Sequence, residues 1–292
     1  MKLCCKLVIV LSMVFSACVS AETSLYEITK GDQKIYLGGT IHVLRTSDYP
    51  LPPEFEHAYE NAKILVLETD LNKANSPEFA QQMAQSFAYS GGKRLSHDLD
   101  PKIWQELKNV CAQSQFPLEQ MSIFKAMFVS LSLSIMEMQR KGYGVAQGVD
   151  TFFHQKAIAD KKTIQGLETT DEVLMQLTSL ADMDANLIIK TTLRDIQKMD
   201  QVLARSVGYW RAGELDKLDT EMASDMRRET PEVYQQLLVA RNQAWLPKVE
   251  AMFSSAETEL VLVGSLHLSG DDGLLAQLEQ RGYKITPYKF KK

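Results

Sequence analysis

The sequence predicts an α+β fold of α/β-like character, a central mixed sheet carrying a large helical insertion. Three observations predict it. Apolar runs of strand length stand near both ends of the chain. Between them, over about residues 76–253, apolar residues recur at helical spacing. The two ends also repeat one order of parts (strand, Gly-x-x-His, helix, strand), so the sheet is expected to be built from two similar β-GxxH-α-β units.

Taken in order, residues 25–28 (Leu-Tyr-Glu-Ile) and 34–37 (Lys-Ile-Tyr-Leu) alternate as half-buried strands around the turn Gly31-Asp32. Pro52-Pro53 opens a helix through Phe55, Ala58 and Tyr59, because proline suits the first helical turn. Ile64-Leu65-Val66-Leu67 is a continuous apolar run, as expected of a strand covered on both faces. Pro77, Pro101, Pro117 and Pro231 stand at plausible helix starts. Residues 121–138 are apolar but include Lys125 and four serines, which predicts a buried helix and not a membrane span. Residues 163–167 interrupt the helices with a strand, and strands return at 259–263 and 283–286.

Each half of the repeat places its histidine directly after an apolar run. Gly39-Thr40-Ile41-His42 closes one strand and Gly264-Ser265-Leu266-His267 the other. Ligands of open α/β sheets gather outside the carboxyl ends of strands. Two such units in one sheet are therefore expected to bring both histidines to one crevice, although 225 residues separate them.

Before the first strand, Met1-Lys2 and Lys6 give a positive start, residues 7–14 an apolar core and residues 16–21 a small-residue exit. This reads as a secretory signal over residues 1–21. A stable span needs about 20 apolar residues, so the run is too short to anchor; a buried N-terminal helix is the plainer alternative. Cleavage after Val19-Ser20-Ala21 leaves Glu22 first. The competing outcome is a lipid anchor at Cys18, since Phe15-Ser16-Ala17-Cys18 resembles a lipobox with phenylalanine in place of leucine. The expected location is periplasmic or extracellular, with no transmembrane segment in the mature chain.

Residues 22–292 contain no Pro/Gly/Ser-rich linker and read as a single domain. Cys4, Cys5 and Cys18 leave with the signal, so Cys111 has no partner for an internal disulfide. Loss of Lys2 and Lys6 leaves 30 basic against 37 acidic residues, a net charge of −7. No stretch is strongly basic, which argues against nucleic acid as a partner.

A glycine three residues before a histidine lets the backbone bend and approach a neighbour, while the histidine projects from a rigid element. Glu68 follows the run 64–67 and also ends a strand; two imidazoles and a carboxylate suit a divalent metal with positions open for water. The alternative for Glu68 is to cap the next turn or pair with a lysine. Glu168, in Gly166-Leu167-Glu168-Thr169, repeats the arrangement. Asp150 opens a helix and reads equally as site residue or N-cap. Arg241 could hold a carboxylate or a developing oxyanion, or be an ordinary ion-paired arginine. His57, His97 and His154 read as surface histidines. Loss of either His42 or His267 is expected to remove activity and leave the fold largely intact.

Residues 36–42 (Tyr-Leu-Gly-Gly-Thr-Ile-His) resemble the N-terminal motif of the TraB/GumN family, and residues 263–268 (Val-Gly-Ser-Leu-His-Leu) resemble its C-terminal partner. Between them Leu67-Glu68, Gly148-Val149-Asp150, Gly166-Leu167-Glu168-Thr169, Trp210 with Gly213, and Arg241-Asn242 with Trp245 fall in the family's order. Animal relatives, the Tiki proteins, are described as metal-dependent proteases that clip Wnt, and other members block peptide pheromones. The resemblance implies a metallo-hydrolase acting on peptides or proteins, with His42, Glu68 and His267 at the core of the site and Arg241 as an accessory. Manganese, cobalt, iron and zinc all suit such a donor set. No His-Glu-x-x-His sequence is present, so an ordinary zincin is excluded. A reading of another class is a non-catalytic binding protein for a peptide, or for a haem or iron ligand held by histidine.

Overall fold

The computed structural model describes residues 23–290. The expected signal segment, with Cys18 and the new terminus Glu22, lies outside the described residues. The strands are β1 (Leu25–Lys30), β2 (Gln33–Thr40), β3 (Ile64–Leu67), β4 (Thr163–Gly166), β5 (Glu259–Gly264) and β6 (Lys284–Pro287). They form one mixed sheet in the order β4-β3-β5-β2-β1-β6. β4, β3, β5 and β2 run parallel to one another, and β1 is antiparallel to both β2 and β6. The fold is α+β, as the patterning predicts.

The strand order explains where a site can form. From β2 the chain passes through the Pro53–Asn61 helix to β3, on one side of β5. From β5 it passes through the Leu274–Gln280 helix to β6, in the opposite direction. The first helix packs Phe55, Ala58 and Tyr59 on one face of the sheet with Val149, Phe153 and Trp210. The second packs Leu274 and Leu278 on the other face with Trp245 and Val249. The two matching units thus wind in opposite directions from neighbouring strands, and a crevice opens at the carboxyl ends where the winding reverses. That point lies between β2 and β5.

All six residues of β5 are buried, and after Glu259 the strand is apolar from Leu260 to Val263, as a strand covered on both faces should be. Burial of each large aliphatic side chain there contributes about 1.5–3 kcal/mol. The helical insertion has an apolar cluster of its own, in which Leu107, Cys111, Val129, Leu133 and Ile189 pack together. Residues 121–138 are not one helix. A short helix ends at Met121, Lys125 is extended, and the Ala126–Arg140 helix begins anew with Ile123 and Leu131 exposed. Among the described residues no helix is long and apolar enough to cross a membrane.

The long Ala185–Ala212 helix ties the insertion back to the sheet. Its buried Trp210 donates from the indole Nε1 to Gly39 O at 2.6 Å, and the Trp210 carbonyl accepts from Ser24 Oγ at 2.9 Å.

Candidate functional site

Four neighbouring parallel strands each deliver one ionisable side chain at the carboxyl edge. Glu168 comes from beyond β4, Glu68 from β3, His267 from beyond β5 and His42 from beyond β2. Arg241, from the Ala240–Met252 helix, bridges them.

The β2 and β5 ends are pressed together. A Cβ on Gly39 would lie 2.8 Å from Ser265 Oγ and 3.0 Å from Ser265 Cα. Ser265 Oγ donates to Thr40 O across the gap. The carbonyl of His42 meets Gly148 so closely that a Cβ there would stand 2.3 Å from it. Behind Gly148, the Val149–Ala159 helix begins, and its second residue, Asp150, faces His42. Asp150 Oδ1 lies 3.1 Å from His42 Nδ1, and the residue that caps the helix is Gly148, not Asp150.

The two histidines are held in the same way by different partners. His267 Nδ1 lies 2.7 Å from Asn242 Oδ1, and Asn242 Nδ2 donates to the carbonyls of His267 and Asp272. Because an amide oxygen only accepts, Nδ1 carries the proton and His267 Nε2 presents a lone pair. His42 Nε2 and His267 Nε2 lie 3.7 and 3.9 Å from the same atom, Glu68 Oε1. The expectation of a shared crevice is met. Gly264 makes the room, since a Cβ there would lie 2.9 Å from His42 Nε2 and 3.2 Å from Glu68 Oε1.

Arg241 separates the duties of the two glutamates. Its Nη2 donates to Glu68 Oε2 at 2.6 Å and also to Glu168 Oε1. Glu168 Oε2 further accepts from Arg241 Nε, Trp245 Nε1 and Gln176 Nε2. Glu168 is buried and fully engaged, so it fixes the guanidinium. Glu68 keeps Oε1 toward the histidines, where Gly264 N donates to it at 2.6 Å.

The electrostatics follow from this geometry. Burial alone would raise the Glu68 carboxyl, but Arg241, His267, His42 and the Gly264 amide outweigh it and hold it well below the usual carboxylate range. Burial, reinforced by Arg241, presses His267 down to about 3 against the pull of Glu68, so it is neutral. Asp150 raises His42 to about 9 against desolvation, with Glu68 adding to the rise. The His42 side chain is 55% exposed, so water screens part of this pull.

Among the described residues, no group of three His, Cys, Asp or Glu side chains stands placed to hold a metal ion. The trio His42, Glu68 and His267 is too open for that. Bonds of about 2.0–2.2 Å to a cation hold neighbouring ligand atoms about 3–3.5 Å apart, against 3.7 and 3.9 Å here. The exposed His42 has room to close its own gap, whereas His267 is buried and pinned by Asn242, so Glu68 would have to move to close the other. Both Nδ1 atoms are held by an oxygen, the arrangement that orients metal-binding histidines. The donor types suit a divalent cation, and the spacing is wider than a bound ion would hold it.

Of the remaining histidines, His97 is exposed and His57 is half-buried against Phe290, with ring centroids 4.2 Å apart. His154 departs from the expectation of a surface residue. It is buried on the inner side of the Val149–Ala159 helix, where the neighbouring Phe153 enters the core. Two features escaped the sequence. The helical stretch leading to Arg241 is widened by a π-helical turn at Gln235–Val239, just before it, and such turns recur at functional sites. Asn242 was visible only as a neighbour of Arg241; nothing local shows that its oxygen meets an imidazole 25 residues later.

The model of the TraB/PrgY/gumN family matches residues 24–287, and the chain belongs to that family. The chain is 23% identical over 244 residues to the uncharacterized protein YbaP of Escherichia coli K12, covering 84% of this chain and 87% of that protein. The YbaP of Shigella flexneri is equally similar over the same length. No solved structure matches the chain.

Proposed function

We propose that this TraB/PrgY/gumN-family protein is an exported, metal-dependent hydrolase of peptides or proteins. One observation carries the reading. Two histidines, each anchored through Nδ1, turn Nε2 onto one oxygen of Glu68, above a glycine whose missing side chain leaves the space free. A divalent ion held by the two histidines, His42 and His267, with Glu68 Oε1 beside it, would lower the pKa of a water and polarise a carbonyl. The export half of the reading rests on the N-terminal signal pattern of residues 1–21.

The chain's own groups supply the rest. His267 is neutral, and its Nε2 lone pair, which faces Arg241 Nη1 at 3.2 Å, would have to turn from that donor to an ion, whereas His42 must first lose its Nε2 proton. Glu68, ionised throughout the physiological range, is the general base that takes a proton from the attacking water and passes it to the departing amine. Glu168 takes no proton; with Trp245 and Gln176 it holds Arg241. Arg241 Nη1 is the least engaged arm of the guanidinium, 3.2 Å from His267 Nε2 and 3.4 Å from Leu237 O. It is the arm that turns to a developing oxyanion.

The test uses purified residues 22–292. Metal content is measured after exposure to manganese, cobalt, iron or zinc, followed by cleavage of an unfolded protein substrate. One bound ion, lost in His42→Ala and His267→Ala together with cleavage, supports the reading. A Soret band, or metal content unchanged by both substitutions, counts against it.

A further inference from the structure

We propose that the outer edge of β4 is the substrate-docking edge, where an extended peptide adds to the sheet as an extra strand. This deepens the peptide-hydrolase reading and rests on it for what happens to the docked chain, not for the docking itself.

β4 is one of the sheet's two edge strands, paired on one side only, with β3, and unlike the other edge, β6, it neighbours the strands that end at the site. Leu167 N donates to Leu67 O at 2.9 Å, so the Leu167 amide faces β3. Backbone groups alternate along an extended strand, so the amides and carbonyls of Ile164 and Gly166 face outward. Thr163, Gln165 and Gly166 are exposed. An edge of this kind is complementary to one kind of partner, another extended backbone.

The strand also leads to the site. Two residues beyond Gly166 stands Glu168, which holds Arg241. A chain laid along β4 is therefore delivered to the group assigned to the oxyanion. The edge is flanked by a cavity of about 540 Å³ that wraps around it, with His154 on one face of the sheet and Lys248 on the other. His154 Nε2 is buried and, among the described residues, has no hydrogen-bond partner. The cavity thus has space and an unused polar atom for a side chain of the docked strand.

Docking is tested by amide hydrogen exchange on His42→Ala, which binds without turnover. The probe is an equimolar pool of random decapeptides at millimolar concentration. A control pool is N-methylated on two adjacent central residues, which blocks both backbone edges. The expected result is slowed exchange at Ile164 and Gly166 with the first pool and none with the second. Exchange unchanged at these amides, or slowed equally by both pools, overturns the proposal. Cleavage of the pool by the unaltered protein is read separately. Cleavage without protection sinks the docking edge alone, and protection without cleavage sinks the hydrolase reading alone.

Discussion

Arg241 Nη1 and His267 Nε2 stand 3.2 Å apart, a guanidinium facing the lone pair of an imidazole. Guanidinium only donates, so the contact is favourable only when His267 Nε2 carries no proton. The same arginine keeps Glu68 ionised, and it adds to the burial that keeps His267 neutral.

Removing that cation leaves two carboxylates unpaired, Glu168 with 2% and Glu68 with 15% of the side chain exposed. Arg241→Gln is expected to destabilise the protein by about 3–5 kcal/mol near neutral pH. The Glu68 carboxyl is depressed in the fold, so its contribution is present above its ordinary pKa near 4.5 and is lost as pH falls below that value. The gap between the two proteins in urea unfolding should therefore narrow under acid. A gap below about 1 kcal/mol at pH 7 contradicts the pairing.

The two histidines should differ on truncation, contrary to the expectation that both are dispensable to the fold. His267 is buried and its loss strands Asn242, a cost of about 1–3 kcal/mol. His42 is mostly exposed, and His42→Ala should melt close to the parent. Thermal melts of the two variants side by side decide it, and equal losses would refute the asymmetry.

Gly264→Ala places a methyl 2.9 Å from His42 Nε2 and 3.2 Å from Glu68 Oε1. Gly264 needs no unusual backbone angle, with φ −52 and ψ 136, so the strain falls on those two side chains. Divalent-ion binding and cleavage should drop at least tenfold. Unchanged affinity in calorimetric titration would mean that the ion sits elsewhere.

Asp150→Asn should bring His42 down from about 9 toward its ordinary value, since Asp150 is the largest cause of the rise. A raised histidine stabilises the fold fully below its ordinary value near 6.5, and the benefit disappears as pH climbs through about 9. The parent should lose a little stability over that window and the variant should not. Imidazole proton shifts of the metal-free protein, followed by NMR against pH, give the answer directly.

Intact mass of the exported protein is expected to show a chain beginning at Glu22. A diacylglyceryl mass on a chain beginning at Cys18 would show that the lipobox reading is the correct one.

Much of this was legible in the residues. The run at 64–67 read as a covered strand because burial on both faces removes alternation, residues 259–263 read as a strand, and they are β3 and β5. His42, Glu68 and His267 were readable because each directly follows such a run. The pairing order was not. Residues 64–67 carry no mark that their neighbour is a strand almost two hundred residues later, because β partners are chosen by the whole packing. Glu168's role was hidden for a similar reason. Its engagement with Arg241 and Trp245 arises only when the Ala240–Met252 helix, more than seventy residues on, packs against it, so spacing alone made it look like a second Glu68.

Among the parallel strands, the last to be synthesised is β5, yet it lies between β2 and β3. A growing chain that has reached residue 258 already holds His42, Glu68, Glu168 and Arg241, but the sheet that would gather them lacks its middle strand. Its contacts are long in sequence, which slows their formation. Without Glu259–Gly264, β2 and β3 have no strand between them, so a chain cut short before Glu259 cannot bring His42 and Glu68 to one crevice. The gathering of these side chains waits on the last parallel strand to be made.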